Sequence, residues 1–169
     1  MKYLGYSWGI GGVLILLLSA IYRLTPMVLA LENSPMLLLH WASLIFSVVY
    51  MAYAEGYKGF HLGFAPRVVV RAIYLRQNPR TVHTLLAPAF CMGYFYATRR
   101  RKLTSIGITL MIICFIIIAR MLPQPWRGIV DAGVVVGLAI GVASIVYFVF
   151  LGHSKPEAIQ TSAELPGDS

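Results

Sequence analysis

Apolar residues run in long unbroken stretches along this chain, without the two-residue alternation of half-buried strands or the narrow stripe of a surface helix. Each of the four longest approaches the roughly 20 residues a helix needs to cross a bilayer. The first predicts a helix from about Gly5 to Leu24, ending at the corner Arg23-Leu-Thr-Pro26 because proline disfavours helix in the residue before it. Leu18 is too large for a cleavage site after Ala20, and Tyr3, Tyr6 and Trp8 read as interfacial anchors, so this stretch is expected to remain as a helix. The second runs from Pro35 to Ala54, with Ser34 as N-cap and Pro35 in the first helical position, where a missing N–H does no harm. Leu103 to Met121 and Ala132 to Leu151 complete the set, joined by the turn Leu122-Pro-Gln-Pro-Trp-Arg-Gly128.

The stretch from Thr81 to Thr98 is just long enough to cross as well, and charge decides against it. If it does not cross, Lys2, Lys58, Arg67, Arg71, Arg76, Arg80, Arg99, Arg100, Arg101, Lys102 and Lys155 share one side, facing only Arg120 and Arg127 on the other, with Arg23 near the membrane edge. If it crosses, the best split weakens to eight against five. The excess of basic residues in cytoplasmic loops therefore predicts four spans, both termini cytoplasmic, and a re-entrant or interfacial segment around Pro88.

Composition agrees. Hydrophobic residues make up 59% of the chain and charged ones 12%, with a mean hydropathy of +0.75. A soluble domain carries about 25% charged residues, so a soluble enzyme, a coiled coil and a disordered chain are all excluded. The net charge of +8 flanks the apolar stretches, which makes it a topology signal and gives no reason to expect nucleic acid. The expected class is an all-α polytopic protein of a bacterial inner membrane, its four helices arranged as two hairpins. The hairpins cover 1–54 and 103–151, a basic inner-face linker covers 55–102, and a polar tail expected to be disordered covers 152–169.

A shift of 97 residues aligns Ile15, Ile21, Arg23, Pro26, Ala42, Ser47, Val49, Tyr50 and Lys58 with identical residues ending at Lys155, nine matches in 44 pairs. That pattern suggests a parallel repeat of the hairpin. It also sets Asp131 opposite Ser34, as N-cap of the last helix.

Polar residues within the apolar stretches are sparse. Arg23, His40, Arg120 and Asp131 form a candidate polar cluster near the outer leaflet, because ionisable groups at membrane depth are functional candidates by default. Each also has a plain role: snorkelling to head groups for the arginines, an interfacial hydrogen bond for His40, a cap for Asp131. Lys58, Arg67, Arg71, Arg76, Arg99, Arg100, Arg101 and Lys102 form a basic collar suited to anionic lipid at the inner face. Glu55 is expected to pair with Lys58, three residues on along one helical face. Tyr50, Tyr53 and Tyr57 read as an aromatic belt, and Cys91 and Cys114 as reduced packing residues. Gly133, Gly137 and Gly141, with Gly5 and Gly9 echoing the spacing, predict close helix packing, within the chain in preference to a homodimer, and the partners expected besides membrane lipids are a homo-oligomer or another membrane protein. The histidines share no ligand spacing and no hydrolase or phosphate-loop motif is present, so no catalytic, metal or cofactor residue is assigned.

The segments Ala54-Glu-Gly-Tyr-Lys-Gly-Phe60, Phe64-Ala-Pro-Arg-Val-Val-Val-Arg-Ala72 and Leu122-Pro-Gln-Pro-Trp-Arg-Gly-Ile-Val-Asp-Ala-Gly133 resemble a group of small multi-pass inner-membrane proteins of bacteria. The resemblance covers most of the chain up to about Phe150 and implies no activity, so no functional residue is carried over. The expected function is a non-enzymatic component that moves a small solute or lipid or supports a membrane assembly. The alternative is a small lipid-modifying enzyme.

Overall fold

A computed structural model describes residues 2–78, 81–154, 159 and 161–164. Arg80 and Lys155 lie outside the described residues. Among the described residues the regular structure is all helical, with four helices long and apolar enough to span a membrane. In chain order these are α1 (Lys2–Leu29), then one continuous rod made of α2 (Leu38–Met51), a π-helical segment (Ala52–Phe64) and α3 (Ala65–Gln77), then α6 (Arg99–Met121) and α7 (Trp126–Ser154). Two short helices, α4 (Thr81–Leu85) and α5 (Ala87–Cys91), lie between the second and third spans. At five residues each they cannot cross a bilayer, so the stretch from Thr81 to Thr98 is not a span.

Three helix boundaries depart from the sequence reading for identifiable reasons. Pro26 lies inside α1 and does not end it. The helix continues because proline removes only one donor, while the hydroxyl of Thr25 donates to the carbonyl of Ile21 (2.7 Å) and the N–H of Ala30 to that of Pro26 (3.1 Å). Ser34 closes α1 and does not open α2, since its hydroxyl donates to Ala30 at 3.0 Å. The next helix starts after Leu37, whose N–H is accepted by Nδ1 of His40 at 3.1 Å. α7 begins at Trp126, so Asp131 sits more than a turn inside it and is not its cap. Gln124 serves that end, accepting from the N–H of Gly128 and donating to the carbonyl of Met27, both at 3.2 Å.

The second span also does not stop at Ala54. It runs unbroken to Gln77, about 60 Å at 1.5 Å per residue. Its middle is widened, as the N–H of Ala65 bonds the carbonyl of Phe60, five residues back. A five-residue repeat is the π-helical pattern.

α7 is the central helix, packed along α1 on one side and along α2, the π segment and α3 on the other. Its glycines face the long rod. A methyl group at Gly133 would lie 2.9 Å from the Ser47 carbonyl, one at Gly137 3.0 Å from Glu55, and one at Gly141 2.8 Å from Phe60. The partners Ser47, Met51 and Glu55 are four apart and Phe60 is five further on, so the ridge follows the change of pitch. Gly5 and Gly9 have different neighbours: Leu75 of α3 for the first and Cys91 of α5 for the second.

α1 and α7 both reach α3 at one end of the bundle, where Gly5 meets Leu75 and Gly152 meets Val69. The largest core lies here, built from Ile10, Val13, Val68, Leu75, Phe90 and Ile145 with smaller residues between them. We call this the basic end, since Arg67, Arg71, Arg76 and Arg101 also lie there. α6 stands apart, touching α7 only weakly and exposing its isoleucines nearly all round, the pattern of a helix in lipid.

Candidate anion site at the basic end of the bundle

α3 carries Arg67 and Arg71 one turn apart, with Arg76 five residues further on and on the opposite side of the helix from Arg67. Of the basic collar read from the sequence, these residues and Arg101 have the most developed surroundings. Arg71 differs most from the expectation of a lipid contact: it is 2% exposed and points into the bundle. Its Nε donates to the Phe90 carbonyl (2.7 Å), one terminal nitrogen to Ala163 (2.6 Å), and the other to Phe95 (3.1 Å) and Tyr96 (2.9 Å). The guanidinium also lies over the ring of Phe90, 4.4 Å from its centroid. His83 stacks on that ring and leans on Tyr96 at 4.8 Å.

Arg71 thus gathers the loop after α5 around itself. Tyr96 has φ of +48°, a conformation that costs an ordinary side chain about 1 kcal/mol or more, and the Arg71 bond to its carbonyl helps to hold it. Gly93 has φ of +84° and also lies against Arg101 and Ser105, where an added methyl would be 3.1 Å and 3.2 Å from their side chains. Ser105 donates to the Met92 carbonyl at 3.0 Å, and Thr98 caps α6 by accepting from the N–H of Arg101. Cys91 is sealed beneath this loop, and burial pushes its thiol up to about 12.

Part of the polar tail lies in this setting. Residues 161–164, where composition predicts disorder, are seated against the loop: the N–H of Thr98 donates to the carbonyl of Glu164 at 3.0 Å. The Glu164 carboxylate lies between two guanidinium groups, 3.6 Å from Arg67 and 3.5 Å from Nε of Arg101. Charge-assisted hydrogen bonds are closer to 2.8 Å, so this carboxylate is attracted but not locked. The Arg101 side chain is 10% exposed and that of Arg67 27%, which leaves an approach from solvent. Arg67 is steadied by its Nε bond to the Gly63 carbonyl (2.7 Å), which keeps its terminal nitrogens available. Chemically this is a two-armed cationic clamp with the geometry to hold one compact anion, and the chain's own Glu164 carboxylate stands in it.

The rest of the collar is more dispersed. Arg76 lies over Tyr3 at 5.6 Å and, with Ile73, Gln77, Gly152 and His153, lines an open notch of about 260 Å³. Arg99 and Arg100 are exposed and Lys102 is half-buried. Lys58 lies over the ring of Tyr53 at 5.0 Å, without the expected ion pair to Glu55. The five-residue pitch of the π segment carries residues three apart away from a common face.

At the other end the polar cluster is not assembled as a unit. Asp131 is 4% exposed and approaches Arg127, four residues earlier, at 3.8 Å. His40 packs edge-on against Trp126 at 5.0 Å. Arg23 and Arg120 are exposed and form no ion pair among the described residues. Among the described residues no group of three or more His, Cys, Asp or Glu is placed to hold a metal.

Sequence reasoning missed Glu164 as a partner, because it stands in a low-hydropathy tail that carries no pattern. It also missed His61, whose Nδ1 is 3.2 Å from the Ser144 hydroxyl. Ser144 matches Ser47 in the 97-residue alignment, but nothing in the sequence pairs it with His61. Compared with protein-family models, curated proteins and solved structures, the chain matches none.

Proposed function

We propose that this is a non-enzymatic multi-pass protein of a bacterial inner membrane that holds anionic head groups at its basic end, in support of lipid or solute movement or of a membrane assembly. The observation that carries the reading is the pair of guanidinium groups converging on the Glu164 carboxylate at distances too long for a locked ion pair. A head-group phosphate offers the same charge with more oxygens, and each basic group near an anionic leaflet contributes about 1 kcal/mol of attraction. The concentration of arginines at this end, where α1 begins and α7 ends, supports a cytoplasmic orientation. Reporter fusions at Asn78, Lys102 and after Ser169 are expected on one side; opposite sides for the first two would refute the orientation.

The clamp is tested by lipid retention. Purified full-length protein at low salt should keep more anionic than zwitterionic lipid, and Arg67→Gln with Arg101→Gln should remove the preference. Glu164→Gln should increase it, because the internal competitor loses its charge. Equal retention of both lipids by the unaltered protein would refute the reading. Flux and lipid-turnover assays in the same liposomes separate a transport role from the alternative of a lipid-modifying enzyme.

A further inference from the structure

Away from the clamp, one titratable group in the second span has no hydrogen-bond or ion-pair partner among the described residues and no role in the reading above. Glu55 lies in the π segment, and its Oε2 is buried without a hydrogen-bond partner. That oxygen faces the backbone of Gly137, since a methyl group there would lie 3.0 Å from it. Gly137 is only about 5 Å along the axis from the midpoint of α7, so the carboxyl group sits near mid-membrane if α7 spans symmetrically.

The charged and titratable groups around it are otherwise engaged or distant in sequence position. On α7, Asp131 approaches Arg127, and His153 lies at the far end. On α2, His40 accepts from Leu37. On α3, Arg67 and Arg71 take part in the clamp and its loop, and Arg76 lies over Tyr3. On its own segment Lys58 lies over Tyr53, His61 pairs with Ser144, and Tyr57 stacks on His61. A carboxylate without a partner in low dielectric is strongly disfavoured, whereas the neutral acid is tolerated. A metal ion would need several oxygen ligands, and a single carboxyl group against a glycine does not supply them.

We propose that Glu55 is a proton-binding site in the membrane interior, neutral while the π segment packs on α7 and charged when that segment moves away. The local geometry provides the movement. Converting five-back bonds to four-back bonds shifts one side of a helix by a residue, which would rotate Glu55 off Gly137 toward the turn where Tyr57, Lys58 and Gly59 are exposed. π segments are enriched at functional sites for this kind of reason. Four-back bonds would also return Lys58, three residues on, to the face of Glu55, where its ammonium can offset the charge of the carboxylate.

The test uses full-length protein in liposomes and the hydrophobic reagent dicyclohexylcarbodiimide. A protonated carboxylic acid adds across its C=N bond and rearranges to a stable N-acylurea without a leaving group, and mass spectrometry maps the adduct. The expected result is modification at Glu55 that slows at least tenfold as pH is raised from 5 to 9, with Glu32 and Glu164 unmodified on the same timescale. Glu55→Gln should abolish the adduct with the helical content retained; if that variant does not fold, Glu55→Asp should keep a pH-dependent adduct at the same position. Absence of the adduct, while a hydrophobic maleimide labels the lipid-exposed Cys114 in the same vesicles, would overturn the proposal. So would a rate independent of pH, which marks a permanently neutral structural acid, or protection by sodium at constant pH, which marks a metal-ion site.

Discussion

The sharpest test of the packing compares one substitution at two glycines. In Gly133→Ala the new methyl group would lie 2.9 Å from Cγ of Met51 and 2.9 Å from the carbonyl oxygen of Ser47. The methionine can turn aside, but the carbonyl belongs to the backbone of a long helix and cannot. α7 must therefore move off the rod by roughly half an ångström, given ordinary contacts of about 3.5 Å or more. Overpacking of this kind costs about 1–3 kcal/mol, against which alanine recovers about 0.8–1.0 kcal/mol of helix propensity. The net expectation is a loss of about 1 kcal/mol. In Gly107→Ala the methyl group meets nothing within 4 Å, so only the propensity gain of about 1 kcal/mol remains. The two variants should then differ by about 2 kcal/mol, a factor of roughly 30 in the unfolding equilibrium. Reversible unfolding of the full-length protein in mixed detergent micelles, followed by far-UV circular dichroism, measures this difference. Equal stabilisation by both substitutions would mean that Gly133 does not touch the rod, and the assignment of α7 as the central helix would fall.

Arg71→Lys should destabilise the protein by about 2 kcal/mol and expose the chain between Met92 and Thr98 to protease, because an ammonium group has three donors and no planar fork to reach four separate carbonyls; unchanged cleavage would refute the role given to Arg71. Cys91 should resist a water-soluble maleimide from pH 7 to 9, since a thiol raised from 9.0 to about 12 gains almost no thiolate in that window, and reaction should set in only as unfolding exposes it. Labelling of native protein that rises tenfold per pH unit to completion by pH 9 would show the thiol to be accessible.

Some features were legible in the chain and others were not, for physical reasons. The four spans were readable because the need to bury about 20 residues of backbone in hydrocarbon leaves a long, one-sided signal. The glycine stripe on α7 was readable for its chemistry, close approach, though not for its partner. Helix ends were less so: Pro26 and Ser34 carry standard breaking and capping signals, but the side chain of Thr25 returns to a carbonyl of α1, which runs on past Pro26, and that of Ser34 bonds back to Ala30 in the turn after α1. The continuation of the second span past Ala54 was hidden by polar residues that mark a loop by composition, while their backbone bonds stay in a widened helix. Arg71 was legible as one member of a basic set, but its burial depends on a loop twenty residues away in sequence. Glu164 was legible only as a charge in a tail, since its position is set by Arg67, Arg101 and the N–H of Thr98, none of which is near it in the chain.

The position of α7 has a consequence for synthesis. The helix on which α1 and the long rod both pack leaves the ribosome after both of them, so these earlier spans must wait in the membrane with the faces that meet α7 and the Glu55 carboxyl uncovered. α1, α3 and α5 share contacts of their own and can meet before that. Chains arrested after Met121 should therefore be inserted yet remain open to membrane-embedded proteases along the rod, and resistance should appear only once α7 has been released into the bilayer. Quality control of this protein would then act on the segment from Leu122 through α7 more than on any part of the chain before it.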